Sequence, residues 1–377
     1  MSCQNEGDII GAKDYLMKIL LIGPMPPPNG GTQVSFKCLV ESLSSVDDLQ
    51  LLTVNTVGVR GAGIKGIAAF LNIIKDILLF SKKADVVTLH CSVTGLPFIA
   101  PIAFIASALF RKPLIIRKFG GSDYIDSLGN FSCRLVDHII RYSDLYLVQT
   151  KQLVFKAKER GINNVVWFPN YRNYPVISSN GVERNNSEYC RKFIYVGDVR
   201  ESKGINYLAE AIKYLKNDIS VDIYGRYFDE LDSDIFERNP RFKYCSQIEH
   251  EDVINVMSKY DALVLPTHYE GEGYPGVILE AYMAGLPVIA TNWLAIPEIV
   301  DETVGILVEP RNAINLAKAM NRLSQDEELF KKLRNNVHSK AKLFSSKRRA
   351  EEFMEMCNQA IFLKKTVIVK KNKKTEK

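Results

Sequence analysis

The chain has 377 residues, of which 46% are hydrophobic and 24% charged. Those fractions exclude a disordered, collagen-like or fibrous chain, and the length suits two domains of roughly 150 residues or more, each with its own core. The formal net charge of +6 lies in the last fourteen residues, 364–377, which carry seven Lys and one Glu. The neutral remainder excludes a nucleic-acid-binding protein, whose folded body would carry a basic face. Such a tail is either a solvated end or an attraction to an anionic membrane, worth about 1 kcal/mol per Lys near the surface.

The N-terminal stretch 1–16 has neither the basic nor the apolar region of a signal peptide. It is read as an extension ahead of a first strand that opens at Met17 (MKILLIG). Seven widely spaced cysteines, with no C-x-x-C, point to reduced thiols in a cytosol and not to a disulfide framework or a zinc site.

Residues 18–23 (KILLIG) are an apolar run bounded by Gly and Pro, the mark of a buried parallel strand. A turn (PMPPPNGGT) with Gly30 and Gly31 leads into a helix over 33–43. Strands are expected at 50–54, 85–89, 114–117 and 145–149, with helices such as 67–80 and 131–142 between them. The most apolar stretch, 95–110 (GLPFIAPIAFIASALF), has sixteen residues and two prolines. A spanning helix needs about 20 apolar residues. A buried helix between two strands is therefore expected, the alternative being a face dipping into a bilayer interface beside Arg111 and Lys112. From 174 the chain turns polar, and 178–191 is read as a domain linker.

Alternation then restarts, with strands expected at 193–196, 220–224, 242–244, 262–265 and 287–290 and helices from about 313 to 363. The pattern predicts an N-terminal α/β domain over 17–177 and a second over 192–343. A helix at 344–363 precedes the basic tail. Two such domains leave a cleft at the C-terminal ends of their strands, where ligands of open α/β sheets bind.

Within the second half, Glu272 and Glu280 stand eight positions apart around a Gly/Pro turn (EGYPGVILE). Pro275 and Gly276 should precede a helix over 277–284 that stops at Gly285, with Pro287 beyond. Free N–H groups near Gly276, Val277 and Ile278 form an anion site, and a neighbouring carboxylate can accept from a sugar diol. A surface loop with an acidic cap is the plain alternative.

Residues 270–310 (EGEGYPGVILEAYMAGLPVIATNWLAIPEIVDETVGILVEP) resemble the signature region of glycosyltransferase family 4. These are retaining transferases of GT-B fold, with two Rossmann-like domains facing a central cleft. The family's E-x7-E motif maps onto Glu272 and Glu280. The resemblance runs from Met17 to about Phe362, strong in the C-terminal half and weaker before it. In 193–204 (FIYVGDVRESKG), Lys203 takes the place of the family's diphosphate Lys. The usual Arg is Asp198 here, with Arg200 the candidate substitute. Gly30 and Gly31 match the glycine loop near the diphosphate or acceptor, although such a pair also serves plain turns. Gly225 matches the strand end beside the nucleotide, and Ile248 the position against the base. The family commonly aims a His at the reacting sugar from the segment RKFGGSD (117–123), where Phe119 stands instead. Ser122, Asp123 and His90 are the alternatives, each also readable as a structural residue.

The resemblance implies transfer of a hexosyl unit from a nucleotide-diphospho-sugar, with a UDP-sugar the expected donor, to a glycan. Glu272 would hold the donor sugar, Glu280 the ribose diol. Lys203, Arg200 and the helix start at Gly276–Val277 would hold the departing diphosphate without a metal or other cofactor. The expected setting is bacterial O-antigen or capsule assembly, with an undecaprenyl-diphosphate-linked acceptor at the cytoplasmic face of the inner membrane. The alternatives are a sugar-nucleotide epimerase of related GT-B fold and an inactive sugar-nucleotide-binding protein.

Overall fold

Short apolar runs buried on both faces become parallel strands in each half of the chain. The computed structural model describes residues 16–28, 30–58, 63–173, 188–228 and 234–375. All but the last residue of the expected N-terminal extension, and most of the expected linker, lie outside these.

The N-terminal lobe runs β1 (Met17–Gly23), α1 (Gly31–Ser44), β2 (Leu49–Asn55), α2 (Gly63–Lys83), β3 (Val86–Ser92), α3 (Leu96–Leu109), β4 (Leu114–Phe119), α4 (Tyr124–Ser127), α5 (Asn130–Tyr142), β5 (Leu145–Val148), α6 (Lys151–Glu159) and β6 (Val165–Trp167). The C-terminal lobe runs β7 (Lys192–Val196), α7 (Ile205–Ala211), β8 (Ser220–Tyr224), α8 (Asp234–Glu237), β9 (Phe242–Tyr244), α9 (Val253–Met257), β10 (Ala262–Leu265), α10 (Gly276–Ala284), β11 (Val288–Thr291), β12 (Gly305–Val308), α11 (Ala313–Gln325) and α12 (Glu327–Lys342). The last helix is α13 (Ser346–Thr375).

Each lobe is one six-stranded parallel sheet, ordered β2-β1-β3-β4-β5-β6 and β12-β11-β10-β7-β8-β9. The order reverses between β1 and β3 in the first sheet and between β10 and β7 in the second. Loops after those strands diverge and open a crevice. Lys203 follows β7 and Glu272 follows β10, so topology brings these two together in one lobe, and Gly30, after β1, stands at the matching crevice of the other.

Period-2 alternation divides the N-terminal core. Leu20, Ile22, Val87 and Leu89 face α2, α3 and α5. Ile19, Leu21, Val86 and Ile115 face α1 and α13. Helix α13 therefore completes the core of the lobe it does not follow in sequence. Its Ala350, Phe353, Cys357 and Ala360 are buried there, and the Phe353 ring lies 5.5 Å from His90 and 5.9 Å from Phe168.

Helix α3 occupies the most apolar stretch. Its Leu96, Ile99, Ala100, Ala103 and Ala106 are buried, whereas Phe98, Ile105 and Leu109 are 49%, 61% and 65% exposed. It is a helix between two strands, as expected, but buried on one face only. Among the described residues no helix is long and apolar enough to cross a membrane.

Truncating Phe353 to Ala removes a fully buried ring and should cost about 3–5 kcal/mol. Urea unfolding reads this as a lowered midpoint for the N-terminal lobe; a cost below about 1 kcal/mol would show that α13 does not anchor it.

Candidate functional site

The crevice between the lobes is a cavity of about 910 Å³. Its walls include Gly30 and Gly31 from the N-terminal lobe. Lys203, Gly225, Ile248, Glu272, Gly276, Val277 and Glu280 come from the C-terminal lobe. The structure thus brings together nine residues proposed from sequence.

Helix α10 sets the geometry of the two carboxylates. It starts at Gly276 and stops at Gly285, which takes the left-handed conformation at φ 82°. Pro275 offers no side-chain cap, so the first N–H groups stay open toward the cavity. Glu272 lies on the loop before the helix and Glu280 on its second turn. Both are buried, at 7% and 5% exposed. Glu272 Oε2 accepts from Lys203 Nζ at 2.6 Å and from Thr267 Oγ1 at 2.8 Å. Glu280 Oε1 accepts from Arg172 Nε at 2.5 Å, and His250 Nδ1 lies 3.8 Å away. Burial pushes the His250 pKa down, only partly offset by Glu280.

Across the cleft the two lobes touch directly. A Cβ on Gly121 would overlap the Glu272 carbonyl, so only glycine lets the loop after β4 seat against the loop before α10. Lys118 is buried beneath that loop and donates to the carbonyls of Gly120 and Ser122 at 2.9 and 2.6 Å. Asn170 Nδ2 donates to the Tyr274 carbonyl at 3.2 Å. Glu298 accepts the Lys151 and Gln152 N–H groups at the start of α6, at 2.6 and 3.0 Å.

Four residues proposed from sequence stand elsewhere. His90 is fully buried between Phe36 and Phe353, its Nε2 3.1 Å from Thr88 Oγ1. Burial, reinforced by the Arg117 charge, holds its pKa well below 6.5, so the ring is neutral core. Asp123 caps α4 through the Ile125 N–H and pairs with Arg160 Nη1 at 2.6 Å, which leaves it no part in the cleft. Ser122 is used through its carbonyl, by Lys118. Arg200 sits over the Phe228 ring at 5.2 Å, and the cavity wall is formed by Phe228 and by Arg226, over the same ring at 4.8 Å. Phe119, where the resemblance led to an expected His, stacks on the Arg117 guanidinium at 4.4 Å.

Sequence reasoning also missed Arg172, His250, Arg226 and Thr267. Arg226 directly follows Gly225 and His250 lies in the segment proposed to hold the base, so position marked both. Nothing local marks Arg172, whose partner is 108 residues away.

Residues 182–342 match the family model of glycosyl transferases group 1. The whole chain has the GT-B architecture. Anabaena HepE, solved in complex with UDP, superposes with TM-score 0.72 at 15% identity, over 91% of this chain and all of that one. Sucrose-phosphate synthase from Thermosynechococcus elongatus gives TM-score 0.68 at 17% identity, over 91% and 98%. Among curated proteins, an uncharacterized glycosyltransferase of Methanocaldococcus jannaschii is 29% identical over 47% of this chain and 51% of its own length. An uncharacterized protein of the cps region of Klebsiella pneumoniae is 26% identical over 67% and 72%. The O-antigen chain mannosyltransferase B of Escherichia coli is 26% identical over 36% and 37%. The chain thus spans about half the length of the first of these relatives and a little over a third of the last.

The seat of the cleft loop gives a pH test. Burial pushes the Lys118 ammonium from 10.5 down to about 8. The unfolded chain therefore binds the extra proton between those values, and stability rises with pH across the window. Below about pH 8 the folded state carries the full cost of the buried charge. Relative to Lys118→Met, the wild type should gain unfolding free energy from pH 7.5 to 9.5 in urea titrations. A difference that stays flat would place the Lys118 pKa outside that window.

Proposed function

We propose that the chain is a retaining glycosyltransferase. It moves a hexosyl unit from a nucleotide-diphospho-sugar, with UDP-sugar the first choice, to a glycan acceptor. The observation that carries this reading is the E-x7-E pair. Glu272 and Glu280 line one cavity at the head of α10, each held by a cation, and the surrounding lobe matches the group 1 family. Glu272 takes donor-sugar hydroxyls and Glu280 the ribose diol, while Ile248 and Gly225 border the base.

Departure of the diphosphate separates charge: the sugar ring grows positive and the leaving group carries the negative charge. Fixed donors aimed at that group lower the barrier most in a site that excludes water. Lys203, Arg226 and the N–H groups at Gly276 and Val277 are such donors here. In this proposal the protein supplies the positive charge, without a metal.

The acceptor belongs to the N-terminal lobe. A second cavity of about 290 Å³ shares Pro28 with the cleft and is lined by Thr32, Gln33, Thr56, Ser92, Thr94 and Phe98, a mixed surface suited to a sugar. Behind it the outer layer is apolar, with Ile67 and Leu71 of α2, Ile105 and Leu109 of α3 and Phe131 of α5 exposed. Arg111 is exposed beside it. Lys364, at the head of the Lys-rich tail, pairs with Asp144 at 3.2 Å, at the edge where α5 ends. Apolar side chains rimmed by cations suit an anionic bilayer surface. This supports a lipid-linked acceptor, such as undecaprenyl-diphosphate-linked glycan in bacterial surface polysaccharide assembly, met at the cytoplasmic face of a membrane. The relatives named for cps and O-antigen work support the same setting, and the six described cysteines are all free thiols.

A panel of UDP-, GDP- and dTDP-sugars tests the donor. Ligand at 100 times Kd should add about 2.7 kcal/mol of stability, and Glu280→Ala should abolish the response. Sugar transfer to an acceptor should vanish in Glu272→Ala; epimerised donor formed without acceptor, or no responder at all, would overturn the reading.

Flotation with anionic vesicles at low salt tests the membrane contact. Wild type should float, and Ile105→Asp with Leu109→Asp, or removal of 364–377, should lower the floated fraction several-fold. Equal flotation of all three would exclude this face.

A further inference from the structure

We infer that Arg172 is a ligand for the donor's diphosphate, supplied by the lobe opposite the one that holds the nucleotide. The inference rests on the donor reading of the cleft and adds to it a residue that no motif marks.

The backbone of Arg172 is fixed where the chain crosses between lobes. Its N–H donates to the Phe344 carbonyl at 3.1 Å, and its carbonyl accepts from Ser346 N at 2.9 Å. The side chain is 6% exposed and lines the cleft. Its Nε donates to Glu280 Oε1, and its Nη1 donates to the Tyr171 carbonyl at 3.0 Å and to Ser35 Oγ at 3.2 Å. Two edges of the guanidinium are thus spoken for. The third, Nη2, has no hydrogen-bond partner among the described residues. It lies against Gly276, where a Cβ would overlap it.

That position is the head of α10, whose first N–H groups have no side-chain cap. A cation beside a helix N-terminus faces the positive end of the macrodipole, an arrangement disfavoured unless an anion lies between them. Glu280 offsets part of the charge through its Oε1 at Nε, and the Nη2 hydrogens are not used by that bond. What the spot lacks is an anion with several oxygens that can accept from Nη2 and from the Gly276 and Val277 N–H groups together. A diphosphate has that chemistry, and guanidinium is suited to grip phosphate through paired N–H donors. Bound so, the leaving group is held by α10 on one side and by the opposite lobe on the other, and donor binding draws the lobes together.

Calorimetric titration of the full chain with inorganic pyrophosphate, uridine and UDP separates the possibilities. Arg172→Ala should weaken pyrophosphate and UDP at least about tenfold and leave uridine unchanged. Arg172→Lys, which keeps a point charge, should recover part of the pyrophosphate affinity. Equal weakening of uridine and UDP would mean that Arg172 only orients Glu280, and tighter binding of all three that it merely obstructs the cleft; either overturns the inference. Should Arg172→Ala fail to fold, Arg172→Lys decides, since unchanged pyrophosphate affinity there also overturns it. Nucleotide binding indifferent to position 172 leaves the donor reading standing without the inference. Arg172-dependent pyrophosphate binding with no nucleotide bound leaves the anion site standing without the donor reading. Binding of neither removes both.

Discussion

The two sheets share no strand, so the cleft exists only because polar contacts hold one lobe against the other. One of them is a carboxylate on a helix start. Glu298 of the C-terminal lobe accepts the N–H groups of Lys151 and Gln152, which open α6 in the N-terminal lobe, and also the Tyr274 hydroxyl at 2.6 Å. These donors have no partner within their own helix, and the helix dipole favours negative charge there. The backbone seat of Gly121 on Glu272, the Asn170 bond to Tyr274 and the Arg172–Glu280 pair lie along the same seam. Polar seams of this kind stabilise little, because each bond replaces one to water. Apolar packing, by contrast, lies mainly in the lobe interiors, with Trp167 of β6 reaching the C-terminal core and α13 returning to the N-terminal one.

Charge in the cleft follows from that economy. Both carboxylates are buried, and a buried carboxylate is costly unless paired. Lys203 and Arg172 pair them, so the unliganded cavity is neither a bare anion nor a bare cation. The same cations suit a diphosphate, and the same carboxylates suit hydroxyls. A ligand that carries both kinds of group would exchange partners with side chains already ordered, with little new entropy to lose. The pairing with Lys203, together with the Thr267 hydroxyl, also fixes the Glu272 carboxylate on its loop.

Much of this was legible in the sequence, and the gaps have physical causes. Long apolar runs such as KILLIG and VVTLH mark parallel strands because both faces are buried. The helix at 276–284 was legible from its punctuation, with Pro275 before it and Gly285 after. Strand β6, three residues long, and β12, with Gly at its start, carry too little pattern to separate from loop. The side chains after β4 misled for another reason. Asp123 sits in a Gly-rich segment at a strand end, where site carboxylates often stand, yet Arg160, 37 residues on, and the α4 N–H claim it. His90 closes the apolar run VVTLH as a cleft residue would, but β3 runs on to Ser92 and its parity turns His90 toward α13, an element more than 250 residues away that no local reading connects.

The distribution of tied and untied groups along β4 explains how the N-terminal lobe presents a defined surface to the cleft. Arg117 and Lys118, successive residues, point to opposite faces and are both fully buried. Arg117 is wrapped by the rings of Phe119, Phe168 and Tyr171 at 4.4–4.7 Å and donates to the Tyr171 hydroxyl at 2.6 Å. Lys118 is bound to the carbonyls of the loop that follows. Phe119 is thereby clamped as a lid on Arg117, and the following glycines are held in the one path that meets Glu272. The surface this segment turns to the cleft is backbone, not an imidazole. That side of the cleft is lined by Glu272 and by the peptide groups around Gly121, held in place by the seat of Gly121 on the Glu272 carbonyl and by the Lys118 bonds to the carbonyls of Gly120 and Ser122.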